Sequence, residues 1–78
     1  MLKDLLRKLR KEKDYSLDKL AKKIDFSRGY LHNAENGTRK VSVDLLDAYI
    51  REFPEYKREL VLRYLKEKIP QRYWEILK

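Results

Sequence analysis

Residues 26–37, FSRGYLHNAENG, hold two side chains able to read the edge of a nucleobase. Arg28 offers a planar fork of donors that matches the two acceptors of guanine, and the amide of Asn33 can make two bonds to adenine. The stretch contains no acid before Glu35 and is followed by the basic loop Thr38-Arg39-Lys40. Acid–base or metal chemistry lacks its parts. His32 is the only histidine, has no candidate triad partner nearby in sequence, and stands in a chain without cysteine. No catalytic residue, metal ligand or cofactor site is therefore expected.

The charge is uneven in a way that favours a polyanion. Of the net +7, residues 1–40 carry twelve Lys/Arg against six Asp/Glu, whereas residues 41–78 carry eight against seven. Excess positive charge confined to one half of a small domain is the electrostatic footprint of a nucleic-acid binder. Elsewhere the acids alternate with Lys and Arg at helical spacing, the pattern of solvated faces. With no run of about 18 apolar residues, no membrane span is expected. The leucines of MLKDLLRKLRKEK are broken by charges, which excludes a signal-peptide core. The absence of cysteine is compatible with a reducing cytosol, and a cytoplasmic, nucleoid-associated location is expected.

The elements that must position Arg28 and Asn33 are all helical, since only two glycines and two prolines interrupt a sequence rich in Leu, Lys, Glu and Arg. Leu2, Leu5, Leu6 and Leu9 recur at helical spacing and predict a first helix from Leu2 to about Lys13. Ser16 caps a second helix with Leu17, Leu20, Ala21 and Ile24 on one face, and Asp25-Phe26 is a tight connection. Ser27 caps a third, with Leu31 and Ala34 inward and Tyr30 beside them; Asn36-Gly37 ends it. Ser42 caps a fourth, striped by Leu45, Leu46, Tyr49, Ile50 and Phe53. Pro54 opens a fifth, with Tyr56, Leu60, Val61, Tyr64 and Leu65 as its apolar residues. Pro70 starts a short last segment, in which Tyr73, Trp74 and Leu77 either cover the end of the bundle or form an interface. The expected organisation is a compact five-helix domain, 1–68, with a short helical extension, 69–78.

Two short capped helices joined by a tight turn have the pattern of a helix-turn-helix. The segments SLDKLAKKI, DFSRGYLHNAENG and SVDLL, with the Leu-Ala pair, the serine cap and the closing Glu-Asn-Gly, resemble the phage repressor-like helix-turn-helix family of the Xre/Cro type. The resemblance runs from about Leu5 to Phe53. It implies that helix 27–36 lies in the major groove of double-stranded DNA, with Arg28, Gly29 and Asn33 facing bases and His32 on the flank. Caps and basic loops supply phosphate contacts, here Ser16, Ser27, Asn36, Thr38, Arg39 and Lys40. It also implies a partly buried ion pair between Arg10 and Glu35. Two positions depart from the family pattern. Leu17 stands where a long polar residue usually reaches a phosphate, and Asp25 stands where the turn usually has glycine.

The implied function is a sequence-specific transcriptional regulator, a repressor, acting as a homodimer on a near-palindromic operator. The alternative is the same fold gripping a protein, as an antitoxin or antirepressor does, with 69–78 as a further contact for a protein partner. The basic, amphipathic first helix could instead lie on a membrane surface, but four other amphipathic segments offer its leucines a simpler burial.

Overall fold

Three serines open three of the five α-helices in the computed structural model, which describes residues 1–77. The helices are α1 (Leu2–Glu12), α2 (Leu17–Ile24), α3 (Arg28–Asn36), α4 (Val43–Glu52) and α5 (Lys57–Lys68). The hydroxyls of Ser16, Ser27 and Ser42 accept from the backbone N–H groups of Lys19, Tyr30 and Leu45 at 3.0–3.1 Å. Each satisfies one donor that the first turn would otherwise leave open. Two of the ends are set by left-handed residues. Gly37 (φ 79°) closes α3 and Asp25 (φ 61°) closes α2. The tight turn thus keeps its usual geometry without glycine, since a short polar side chain also visits this region.

The apolar spacing becomes the core. Leu2, Leu5, Leu6 and Leu9 are all buried as α1 packs against α3 and α5, so its leucines have no free face to offer a membrane. Leu20, Ala21 and Ile24 of α2, Leu31 and Ala34 of α3, and Leu45, Leu46, Ala48 and Tyr49 of α4 complete it with Phe53 and Leu60. Tyr49 and Phe53 stack at 5.7 Å between ring centroids.

The C-terminal third departs from its prediction. Pro54 opens a 3-10 turn, Pro54–Tyr56, and α5 begins only at Lys57. Tyr56 N–H bonds the carbonyl of Phe53, three residues back, a bond that belongs to the tighter helix. Of the five apolar residues expected in this helix, only Leu60 is fully buried, and Leu65 is exposed. Residues Gln71–Leu77 likewise form a 3-10 helix; Lys78 lies outside the described residues. Trp74 does cover the end of the bundle. Its indole N–H is shared between the carbonyls of Lys66 (3.0 Å) and Ile69 (3.3 Å). Tyr73 does not, being 46% exposed, and neighbouring Ile76 is 78% exposed.

Among the described residues, one charged residue is buried. Glu35, at the end of α3, is 4% exposed, and Arg10 of α1 grips it with two parallel bonds, Nε to Oε2 at 2.7 Å and Nη2 to Oε1 at 2.9 Å. The remaining Nη1 donates to the carbonyl of Tyr15 at 2.9 Å, tying in the α1–α2 loop. The bond to Glu35 outweighs burial and raises the guanidinium above its ordinary range, so Arg10 stays charged at any pH the fold meets. The buried Tyr49 hydroxyl lies in the same field and has no hydrogen-bond partner among the described residues. Burial first, and the charge of Glu35 second, push its proton loss far above the usual phenol range.

Removing one partner of such a pair strands the other charge in the interior. Arg10→Ala is therefore expected to cost at least about 2 kcal/mol in denaturant unfolding, with Arg10→Lys intermediate because an ammonium cannot make the two-point bond. A curve superimposable on that of the parent would rule this out.

Candidate nucleic-acid interface

Burying Leu31, Ala34 and Glu35 leaves the opposite face of α3 to solvent. Arg28, Gly29 and His32 on that face are exposed, and Asn33 is half-buried beside them. A Cβ built on Gly29 would meet no heavy atom within 4 Å. Nothing inside the protein requires glycine there, although glycine costs a helix interior roughly 0.5–1 kcal/mol against alanine. Arg28 is partnered: its Nε lies 3.1 Å from a carboxylate oxygen of Asp18, in the first turn of α2. Both side chains are mostly exposed, so this contact is weak and readily exchanged.

The candidate phosphate-facing residues divide by what already occupies them. The hydroxyls of Ser16 and Ser27 are spent on their own helices, but they sit at exposed helix starts, where the neighbouring backbone N–H groups favour anions. Leu17 is half-buried against the core and leaves the backbone N–H groups as the only donors it can offer there. Thr38, Arg39 and Lys40 project from an exposed loop between α3 and α4. Asn36 is different. Its Oδ1 accepts from Nη2 of Arg7 at 2.9 Å, and its Nδ2 lies 3.0 Å from Nε2 of His32. The Asn36 side chain, still exposed, thus also links the end of α3 to Arg7 of α1.

Two residues of the site were not singled out from the sequence. Arg7 lies one helical turn before Arg10 and also reaches the carbonyl of Glu35 at 3.4 Å, so two arginines of α1 hold one end of α3. The i, i+3 spacing of those arginines carries that signal. Tyr30 was grouped with the apolar side of α3, yet its hydroxyl donates to the carbonyl of Lys40 at 3.2 Å and accepts from the N–H of Ser42 at 3.1 Å. The Arg39 guanidinium lies over the Tyr30 ring, 5.8 Å from its centroid. No local pattern announces these contacts, since the partners come ten and twelve residues later.

The loop is fastened at its other end by the Asn33 carbonyl, which accepts from Thr38 N–H (3.0 Å), Thr38 Oγ1 (3.3 Å) and Arg39 N–H (3.3 Å). Helix α3 and the basic loop are therefore one hydrogen-bonded unit. Lys3, Arg39, Lys40 and Trp74 line a common groove, which puts the C-terminal segment beside that loop. Among the described residues no group of three or more His, Cys, Asp or Glu could hold a metal ion. Nor is any described helix long and apolar enough to cross a membrane.

A family model described as helix-turn-helix matches residues 6–60, from within α1 through α2, α3 and α4 to the start of α5, including the tight turn at Asp25 and the basic loop. No curated protein and no solved structure gives a match. The match covers most of the chain and coincides with the capped pair α2–α3, the exposed face of α3 and the loop fastened to it, and the chain belongs to the Xre/Cro-type helix-turn-helix family of DNA-binding regulators.

Proposed function

We propose that this protein is a sequence-specific transcriptional repressor that inserts α3 into the major groove of double-stranded DNA. The observation that carries this reading is the free face of α3. It presents Arg28, Gly29, His32 and Asn33 to solvent, next to a basic loop held in one geometry. Arg28 reads guanine through its fork, releasing Asp18 as it does so, and Asn33 reads adenine. His32 stands at the flank. Thr38, Arg39 and Lys40 hold phosphates, as do the backbone groups at the starts of α2 and α3 behind Ser16 and Ser27. Asn36 contributes through the helix end that it braces. The site of action is the cytoplasm, on the nucleoid.

The exposed side chains of Tyr73 and Ile76, with Leu65 close in class, favour a second role for 69–77 as the contact of a homodimer on a near-palindromic operator. Their apolar area is otherwise wetted, and the segment adjoins the phosphate loop, where two copies on adjacent half-sites would approach.

Sites selected from random DNA, followed by binding titrations over a range of salt, test the first reading. Affinity is expected to fall steeply with salt as counterions are released. Arg28→Ala should cost about 1–3 kcal/mol and relax the preference at one base pair, whereas Lys40→Ala should weaken all sequences alike. Equal binding of selected and random DNA at about 150–200 mM salt would defeat the proposal.

Gly29→Ala separates close approach from silence. With open space around the new methyl, the free domain should gain roughly 0.5–1 kcal/mol of stability. Weaker DNA binding would then mean that the helix backbone lies against the bases at this point; unchanged binding would leave the position unread. For the dimer, sedimentation of the whole chain and of a chain ending at Lys68 should differ in mass, as should Ile76→Ser. Identical masses would remove 69–77 from any interface.

A further inference from the structure

We infer that the Tyr30 hydroxyl is a positioning group for phosphate binding: it holds the Arg39–Lys40 loop in register with the base-facing side of α3. The inference rests on the reading of that loop as a phosphate clamp and adds the residue that sets its geometry. The loop leaves α3 at Gly37 and must reach the cap of α4 at Ser42. Its first half has a backbone anchor, the Asn33 carbonyl, which takes three bonds from Thr38 and Arg39. Its second half depends on one side chain. The Tyr30 hydroxyl bridges the carbonyl of Lys40 and the N–H of Ser42, using its donor and one acceptor in the same place.

The ring is itself fixed from two sides. Phe26 packs on it with centroids 5.8 Å apart, and the ring rests partly buried against the core. The Arg39 guanidinium lies over the ring at 5.8 Å, so the aromatic surface gives that cation a shelf. Tyr30 sits in the first turn of α3, two residues after Arg28, and its N–H takes the Ser27 cap. A shift of the second half of the loop relative to the base-facing residues must break bonds to this one residue. A loop held in the free protein has less conformational entropy to lose on meeting the DNA backbone. Phosphate contacts carry no base information but set the register in which bases are read. The expected signature of losing the hydroxyl is therefore weaker binding to every sequence.

Tyr30→Phe tests this, because it keeps the ring, the shelf and the packing and removes only the bridge. Fluorescence anisotropy with a selected duplex and a scrambled one, at 25 °C and well below the melting transition, should show about a 5- to 10-fold loss on both. The salt dependence should become shallower, by up to about one phosphate contact. In a chain that already carries Arg39→Ala and Lys40→Ala, adding Tyr30→Phe should change nothing further. A hydroxyl that serves only the fold would lower the melting temperature and leave binding at 25 °C as it was; that result overturns the inference. So does an equal loss in the background without the loop cations, since the effect would not run through them. If Arg39→Ala with Lys40→Ala binds both duplexes as the parent does, the phosphate-clamp reading itself falls and takes the inference with it. A loss from the loop cations with none from Tyr30→Phe leaves that reading standing and removes the inference alone.

Discussion

The arrangement of α1 against α3 depends on one buried two-point ion pair, Arg10 with Glu35. A carboxylate 4% exposed is tolerable only if its charge is matched and its lone pairs are filled, and Arg10 does both at 2.7 and 2.9 Å. The third donor of the same guanidinium holds the Tyr15 carbonyl, so the pair also fixes where the chain leaves α1 for α2. Hydrophobic contact would let α1 slide along α3 by small steps at little cost. A planar fork on a carboxylate has one good geometry, and that geometry orients the helix whose outer face meets solvent.

From that constraint the surface organises outward. Arg7, one turn before Arg10, continues the grip onto the Glu35 carbonyl and the Asn36 amide, and Asn36 in turn meets His32. The C-terminal end of α3 is thereby braced by α1, while its N-terminal turn is capped by Ser27 and approached by Asp18 through Arg28. Between these two ends, in the first turn of the outer face, Gly29 stands with empty space around it. A glycine that serves no internal packing is costly in a helix, which makes the open face, rather than the fold, the place to look for its use.

The basic loop shows how a flexible composition becomes a fixed shape. Thr-Arg-Lys has no structural preference of its own, yet the Asn33 carbonyl and the Tyr30 hydroxyl secure its two halves to the same helix. Two cations that would otherwise sample many positions are presented beside α3. The same economy appears at the far end of the chain, where one indole N–H is shared between the Lys66 carbonyl of α5 and the Ile69 carbonyl just past its end.

Local signals determined much of this protein. The serine caps, the left-handed stop at Gly37 and the apolar spacing of α1 to α4 were legible because each rests on residues within one or two turns of each other. The capped pair with its basic loop was also enough to recognise the family from the sequence. Local signals failed where a competing geometry or a distant partner decided. Pro54 reads as a helix start, but the Phe53 carbonyl drew Tyr56 into a tighter turn. That Arg7 of another helix reaches the Asn36 side chain has no local signal at all. Tyr30 reads as standing beside the inward residues of α3, and its ring does rest there, but only folding brings Lys40 and Ser42 to its hydroxyl. Spacing along a chain specifies periodicity and caps; which polar atom meets which across 10 to 30 residues is chosen by packing, because only the assembled core sets those distances.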